Sequence, residues 1–204
     1  MIEPFAKKVK GFLLKPSETF QATRTESLNS AFQYYVILLI IFGVLLFAMI
    51  AVSVSVSSYI SPVTALGGSS ANLLNDFRPF LTTSVLFLPY FLFVFLLFAV
   101  FLGGFEYHVF VLLFGGQKGL VQTLKIVMYA FTPYLLLGWI PLVSIIGGIW
   151  TNILIIIGIR ENQEMTTGRA ILVVVVPIVL SLIFLAGLVA VLGSFIHALA
   201  ALRI

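Results

Sequence analysis

From Tyr35 to Val52 the chain reads YVILLIIFGVLLFAMIAV, with no charged side chain. About 20 such residues in a helix cross the hydrocarbon of a bilayer, so lipid is the solvent this chain is built for. The rest of the chain agrees: 61% of its residues are hydrophobic, 9% are charged, and the mean hydropathy is +1.21. Soluble domains run nearer about 45–50% apolar and 25% charged. The class is a polytopic, all-α membrane helix bundle forming one membrane domain. Twenty phenylalanines suit a lipid-facing surface. No cleavable signal peptide is expected, because the first long apolar run starts only near Ala31 and exceeds an h-region.

In chain order, residues 1–30 form the only extended polar stretch, a cytoplasmic amphipathic segment. Ile2, Phe5, Val9, Phe12 and Leu13 share one helical face, with Lys7, Lys8 and Lys10 largely off it. Lys15-Pro16 breaks the pattern, and Pro16 restarts a helix from its first turn. A short basic helix lying in the membrane interface is the natural reading; a juxtamembrane segment packed on its own domain is the alternative. Residues 31–204 hold five spans, at about 32–57, 80–114, 120–137, 140–159 and 170–193. Tyr59 to Pro79 reads as a loop, with a short helix possible at Ser70 to Phe77. Phe105 to Phe114 covers only about 15 Å, too little for a separate span, and reads as an extension of the second, with a half-buried interfacial turn as the alternative. The third and fourth spans form a hairpin with a turn of two or three residues anchored by Trp139.

Five spans place the termini on opposite sides. With the N-terminus inside, the inner segments hold Lys7, Lys8, Lys10, Lys15, Arg24, Lys118, Lys125, Arg160 and Arg169, against Arg78 and Arg203 outside. That bias predicts N-in, C-out in the cell membrane. Lys118, Arg160, Glu161 and Arg169 then share a cytoplasmic face with the basic N-terminus, the first place to look for a partner.

Few groups could carry chemistry. With no cysteine, disulfide, iron–sulfur and thiolate zinc sites are excluded. Glu106 and His108 point about 200° apart on a helix and do not converge. HExxH, G-x-S-x-G and the phosphate-loop pattern are absent. No catalytic, cofactor or metal site is expected, and the net charge of +4 carries no nucleic-acid signature. Glu106 and Lys125 lie at similar depth if Gly115–Gly119 is a tight turn, so an intramembrane ion pair is expected, with independent snorkelling as the alternative. Ser144, Gly148 and Asn152 recur at i, i+4 as a helix-packing stripe, and Ala186, Ala190 and Ser194 form a second.

Several short pieces, in order, resemble the Yip family of polytopic membrane proteins. They are Leu14, Pro16 and Phe20; Phe114-Gly115-Gly116 with Thr123; Tyr129, Ala130 and Pro133; Ile146-Gly147-Gly148-Ile149-Trp150; Gly158-Ile159-Arg160-Glu161; and Thr166-Thr167-Gly168-Arg169-Ala170. The resemblance implies five spans, a cytosolic N-terminus and a non-enzymatic role in membrane organisation or trafficking through protein partners. In eukaryotes the family is known for interacting with Rab-type GTPases. With about 30 residues before the first span, this chain resembles a prokaryotic-type member. Two functions are therefore expected to compete. One is a scaffold or adaptor that binds other membrane proteins or itself. The other is a small transporter or channel using Glu106, Lys125 and Asn152, with Pro89, Pro133 and Pro177 interrupting its helices.

Overall fold

The computed structural model describes residues 2–64 and 70–201, with side chains described for 4–56, 85–195 and 197. Arg203 lies outside the described residues, as does the side chain of Arg78. Among the described residues there are eight helices and no strand: α1 Ile2–Leu14, α2 Pro16–Thr23, α3 Leu28–Thr64, α4 Ser70–Leu113, α5 Leu120–Ala130, α6 Thr132–Leu137, α7 Val143–Asn162 and α8 Thr167–Ala201. Among the described residues, five stretches are long and apolar enough to cross a bilayer: Leu28–Val56, Val85–Leu113, Leu120–Leu137, Val143–Asn162 and Thr167–Phe195. A helix meets all its backbone hydrogen bonds within itself, which is what hydrocarbon demands.

The expected loop from Tyr59 to Pro79 is corrected: α3 continues to Thr64 and α4 already begins at Ser70. Ser53 and Ser55 do not end the helix. Ser53 Oγ donates to the Met49 carbonyl and Ser55 Oγ to that of Ala51, each at 2.8 Å, so their polarity is absorbed by the helix they sit in. α4 also runs unbroken through Gly103-Gly104, and residues 105–113 continue it.

The third span is two helices meeting at Phe131. Pro133 has no N–H, so the Tyr129 carbonyl loses its helical donor. Thr132 Oγ1 replaces it, donating to that carbonyl at 2.6 Å. Its one proton being committed there, Thr132 accepts from the Tyr34 hydroxyl, 2.9 Å away,. The bend is thereby tied to α3. The hairpin that follows is longer than expected. Residues Gly138–Leu142 form the turn and α7 starts at Val143. Pro141 cannot donate a backbone hydrogen bond, and Leu142 takes a left-handed φ of 69°, a conformation uncommon outside glycine.

The core lies toward the N-terminal end of the bundle. Phe12 of α1 stacks on Tyr129 at 5.0 Å and meets Phe20 of α2 edge-on at 4.9 Å, while Phe5 meets Tyr34 at 5.3 Å. Phe12, Phe20, Tyr35, Ile126 and Tyr129 are fully buried. The apolar face of α1 is thus turned into its own domain. This corrects the reading of α1 as a helix with that face sunk in lipid: aromatic partners on α2, α3 and α5 compete for it and win. By contrast, α8 is exposed from Ile178 to Leu192, apolar on every side as a lipid-bathed helix is.

The packing stripe of α7 is the neighbouring one. A side-chain carbon on Gly148 would meet nothing within 4 Å, whereas one on Gly147 would lie 3.1 Å from the Pro133 carbonyl oxygen. Gly147, Thr151 and Gly158 face the bundle and are buried. Asn152 Nδ2 donates to the Gly148 carbonyl of its own helix at 2.9 Å, and Ser144 is half-buried. Ala186, Ala190 and Ser194 are exposed, with Ser194 Oγ bonded back to Ala190.

Candidate functional site: a strap across one end of the bundle

The N-terminal helices form a strap over the ends of α3, α5 and α7. Pro16, at the first position of α2, starts a new helix direction, so the chain folds back on itself within 30 residues. Two side chains set the crossing. Phe20 enters a notch at Gly158, where an added carbon would lie 2.6 Å from Ile126 Cγ2 and 2.9 Å from the Phe20 ring. Gly11 does the same for α1 on α2, against Thr19.

Glu26 is the centre of the strap's polar contacts. Lys8 Nζ donates to both of its carboxylate oxygens at 2.8 Å, and the Tyr129 hydroxyl donates to Oε2. The same ammonium sits 5.3 Å from the Tyr129 ring centre and 5.7 Å from that of Tyr34, within reach of cation–π attraction. One carboxylate therefore joins α1, the α2–α3 connection and α5. The Lys8 and Glu26 side chains are 23% and 29% exposed, so the pair is screened less than a surface ion pair.

Lys125 is 3% exposed, and it does not meet Glu106. Its ammonium donates to the carbonyls of Arg24 at 2.8 Å and Glu26 at 2.7 Å. Gln122 Nε2 also reaches the Arg24 carbonyl. The expected Glu106–Lys125 pair is corrected by the geometry of α4. Its face toward α5 is the one carrying Gly104, packed on Leu124, and His108, whose Nδ1 is 3.0 Å from Thr123 Oγ1. Glu106, two residues from each, points away and is exposed. Glu106→Gln is accordingly expected to change thermal stability by less than about 0.5 kcal/mol, and the charge swap with Lys125 should give no rescue. A measured rescue would restore the pair.

A second set of contacts closes the loops. Gly115 and Gly119 take φ values of 92° and 83°, which glycine adopts without steric cost, and so bring Lys118 back toward the end of α7. Gln163 binds that turn from both ends of its amide. Oε1 accepts the Lys118 N–H at 2.9 Å, and Nε2 donates to the Gly119 carbonyl and to Thr123 Oγ1. Arg160 donates to Ser17 Oγ at 2.8 Å, and Gln21 donates to Glu161 at 2.7 Å, so α2 is held to α7 by side chains as well as by Phe20. Arg169 stands over Gly115. Lys118, Arg160, Glu161 and Arg169 do share one end of the molecule, and there they are bonded to or packed on the strap and its neighbouring turn.

Glu164 joins Arg24 and Lys118, the latter at 2.6 Å. The Lys118 hydrogen bond, and then that of Arg24, holds its carboxyl below the usual carboxylate value of 4.5. A pKa lowered by folding gives stability that is complete above the unfolded value and is lost as pH falls through the folded one. Amide protection factors at residues 163–166 and 24–27, taken against the intrinsic exchange rate at each pH, should therefore fall as pH drops below about 4.5, and Glu164→Gln should show the lowered protection at neutral pH already. A protection factor that is flat with pH in the parent protein would count against this tie.

Sequence reasoning singled out Lys125 but missed its partners, the carbonyls of Arg24 and Glu26, and the parts that the Glu26 carboxylate, Gln163 and Glu164 play in holding this end together. The one available signal was that polar residues near the spans need partners. Among the described residues, no group of three or more His, Cys, Asp or Glu could hold a metal ion.

In comparison with known proteins, a family model described as the Yip1 domain matches residues 10–200. No curated protein and no solved structure matches the chain.

Proposed function

We propose that this chain, which belongs to the Yip1 domain family, is a non-enzymatic membrane scaffold whose strapped end binds protein partners on the cytoplasmic side of the cell membrane. The observation that carries the reading is the strap itself. Lys8, Glu26 and Tyr129 on one side, and Gln21, Arg24, Glu161 and Glu164 on the other, hold α1 and α2 in one arrangement. Because these groups are already ordered, binding to that face costs less conformational entropy. The excess of lysine and arginine at the same end supports the N-in orientation, and membership of a family associated with trafficking supports a role through partners.

The transport reading has less to stand on. Glu106 is exposed, Lys125 is bonded to main-chain carbonyls, and Asn152 is bonded to its own helix. These three groups do not line a common polar path. A photocrosslinker placed at Arg160 or Arg169 in native membranes is expected to capture a membrane protein or a second copy of the chain. A strictly monomeric product with no adduct would defeat the scaffold reading. Liposomes carrying the protein are expected to show no flux of ions or small solutes, and a flux abolished by Lys125→Met would establish the transport reading instead.

A further inference from the structure

On the outward side of the strap, α1 and α2 enclose a groove of about 550 Å³. Its walls carry Lys7, Lys10 and Leu14 from α1, and Lys15 with Ala22 from α2 and its approach. Lys7, Lys10 and Leu14 follow one another at i, i+3 and i+7, so they form a single stripe opposite the buried Phe12. The four groove lysines are not equivalent. Lys8 is neutralised by Glu26 and Lys15 by Glu18 at 3.3 Å. Lys7 and Lys10 are exposed, and no hydrogen bond or ion pair joins either to another described residue. Two uncompensated ammonium groups one helical turn apart therefore face a groove whose lining also includes Gly11 and Ala22, residues with little or no side chain. Leu14, 68% exposed, adds an apolar rim one turn beyond Lys10.

The depth of this groove matters. Phe5 of α1 lies against Tyr34, six residues into α3, or about 9 Å along that helix. α1 therefore crosses the bundle close to where the first apolar span begins, at the level of lipid headgroups.

From the charge, the small residues in its lining, the apolar rim and this depth, we infer that the α1–α2 groove is a binding site for the phosphate headgroup of an anionic phospholipid. Lys7 and Lys10 take the phosphate, and Leu14 meets the start of the acyl chains. This differs from a helix floating on its apolar face, since that face is already buried in the core. It is also independent of whether the strapped end recruits a protein.

The test uses the full-length protein in detergent, with native mass spectrometry reading bound phosphatidylglycerol against phosphatidylcholine of the same acyl chains. Phosphatidylglycerol should be retained in preference. Lys7→Gln or Lys10→Gln should each weaken retention about fivefold, and the double variant about 25-fold, at low salt. Lys7→Arg with Lys10→Arg should keep it, and Leu14→Asn should weaken it without removing the headgroup preference. Both lysines are exposed, so unchanged thermal unfolding of these variants is the expected control. Equal retention of the two lipids, or a preference that survives the double glutamine variant, would overturn the site. Displacement by glycerol phosphate at the same concentration as the lipid would overturn the lipid as occupant, leaving a soluble phosphate ester in its place. An acidic protein segment as the true occupant would appear as no phosphatidylglycerol preference at all.

Discussion

Replacing Glu26 with alanine is expected to unfasten α1 while the five spans stay folded. The substitution removes the carboxylate that Lys8 and Tyr129 share, and leaves a partly buried ammonium and a buried hydroxyl unpaired. Breaking a fully buried pair costs about 3–5 kcal/mol. Here each side chain keeps about a quarter of its exposure, so a cost on the order of 2–3 kcal/mol is the scale to expect. Amide protection across α1 should fall about 30- to 150-fold, as that free energy implies, while protection in α7 should hold. Lys125 remains bonded to the carbonyls of Arg24 and Glu26, so the α2–α3 connection should loosen less than α1 does. Removing all the partners at once tests the cause. Lys8→Met, Glu26→Leu and Tyr129→Phe combined should recover much of the loss, because no polar group is then left unsatisfied. Unchanged α1 protection in Glu26→Ala would show that aromatic packing alone holds the strap.

Gly158→Val is expected to be the most damaging single change in α7. The first added carbon alone would sit 2.6 Å from Ile126 Cγ2 and 2.9 Å from the Phe20 ring, and both of those side chains are fully buried. Neither can move aside without disturbing the Phe12–Phe20–Tyr129 cluster. Overpacking of this kind costs about 1–3 kcal/mol, occasionally more. The expected result is a lower unfolding temperature together with freer exchange in α2, whose anchor is displaced. Gly148→Ala is the matched control. It lies in the same helix, an added carbon meets open space, and alanine favours helix by roughly 0.5–1 kcal/mol over glycine. It should be neutral or slightly stabilising in detergent unfolding. Equal damage from both changes would mean that helix propensity, not the Phe20 notch, governs this helix.

These two residues show how far the sequence reads. Gly158 stands in one of the motif pieces that resemble the Yip family, as do Phe20, Tyr129 and Pro133. In the folded chain they make close contacts: Phe20 in the Gly158 notch, Tyr129 on Glu26, and Pro133 under Gly147. The motif could be recognised without knowing why its members go together. Glu26 carries no local mark. It sits 18 residues from Lys8 and 103 from Tyr129, and no helical or strand period relates positions that far apart. The choice of Lys125's partner failed for a related reason. Depth along two helices placed Glu106 and Lys125 level with each other, but the rotation of α4 decides which side chains face α5, and Gly104 with His108 took that face.

The sequence by itself determined that this chain is a membrane bundle with five spans, that a helix restarts at Pro16, and that it resembles the Yip family. Those properties follow from run length, charge and local backbone chemistry, which act within a few turns. Only the tertiary structure decided that α1 turns its apolar face inward, that Gly147 and Gly158 rather than Gly148 admit a neighbour, and that the lysines of α1 divide into paired and unpaired ones. Each of those depends on which surfaces meet, and in an apolar chain many helix rotations bury hydrophobic area equally well. The selection among them comes from a few close-fitting glycines and polar groups that must find partners out of water.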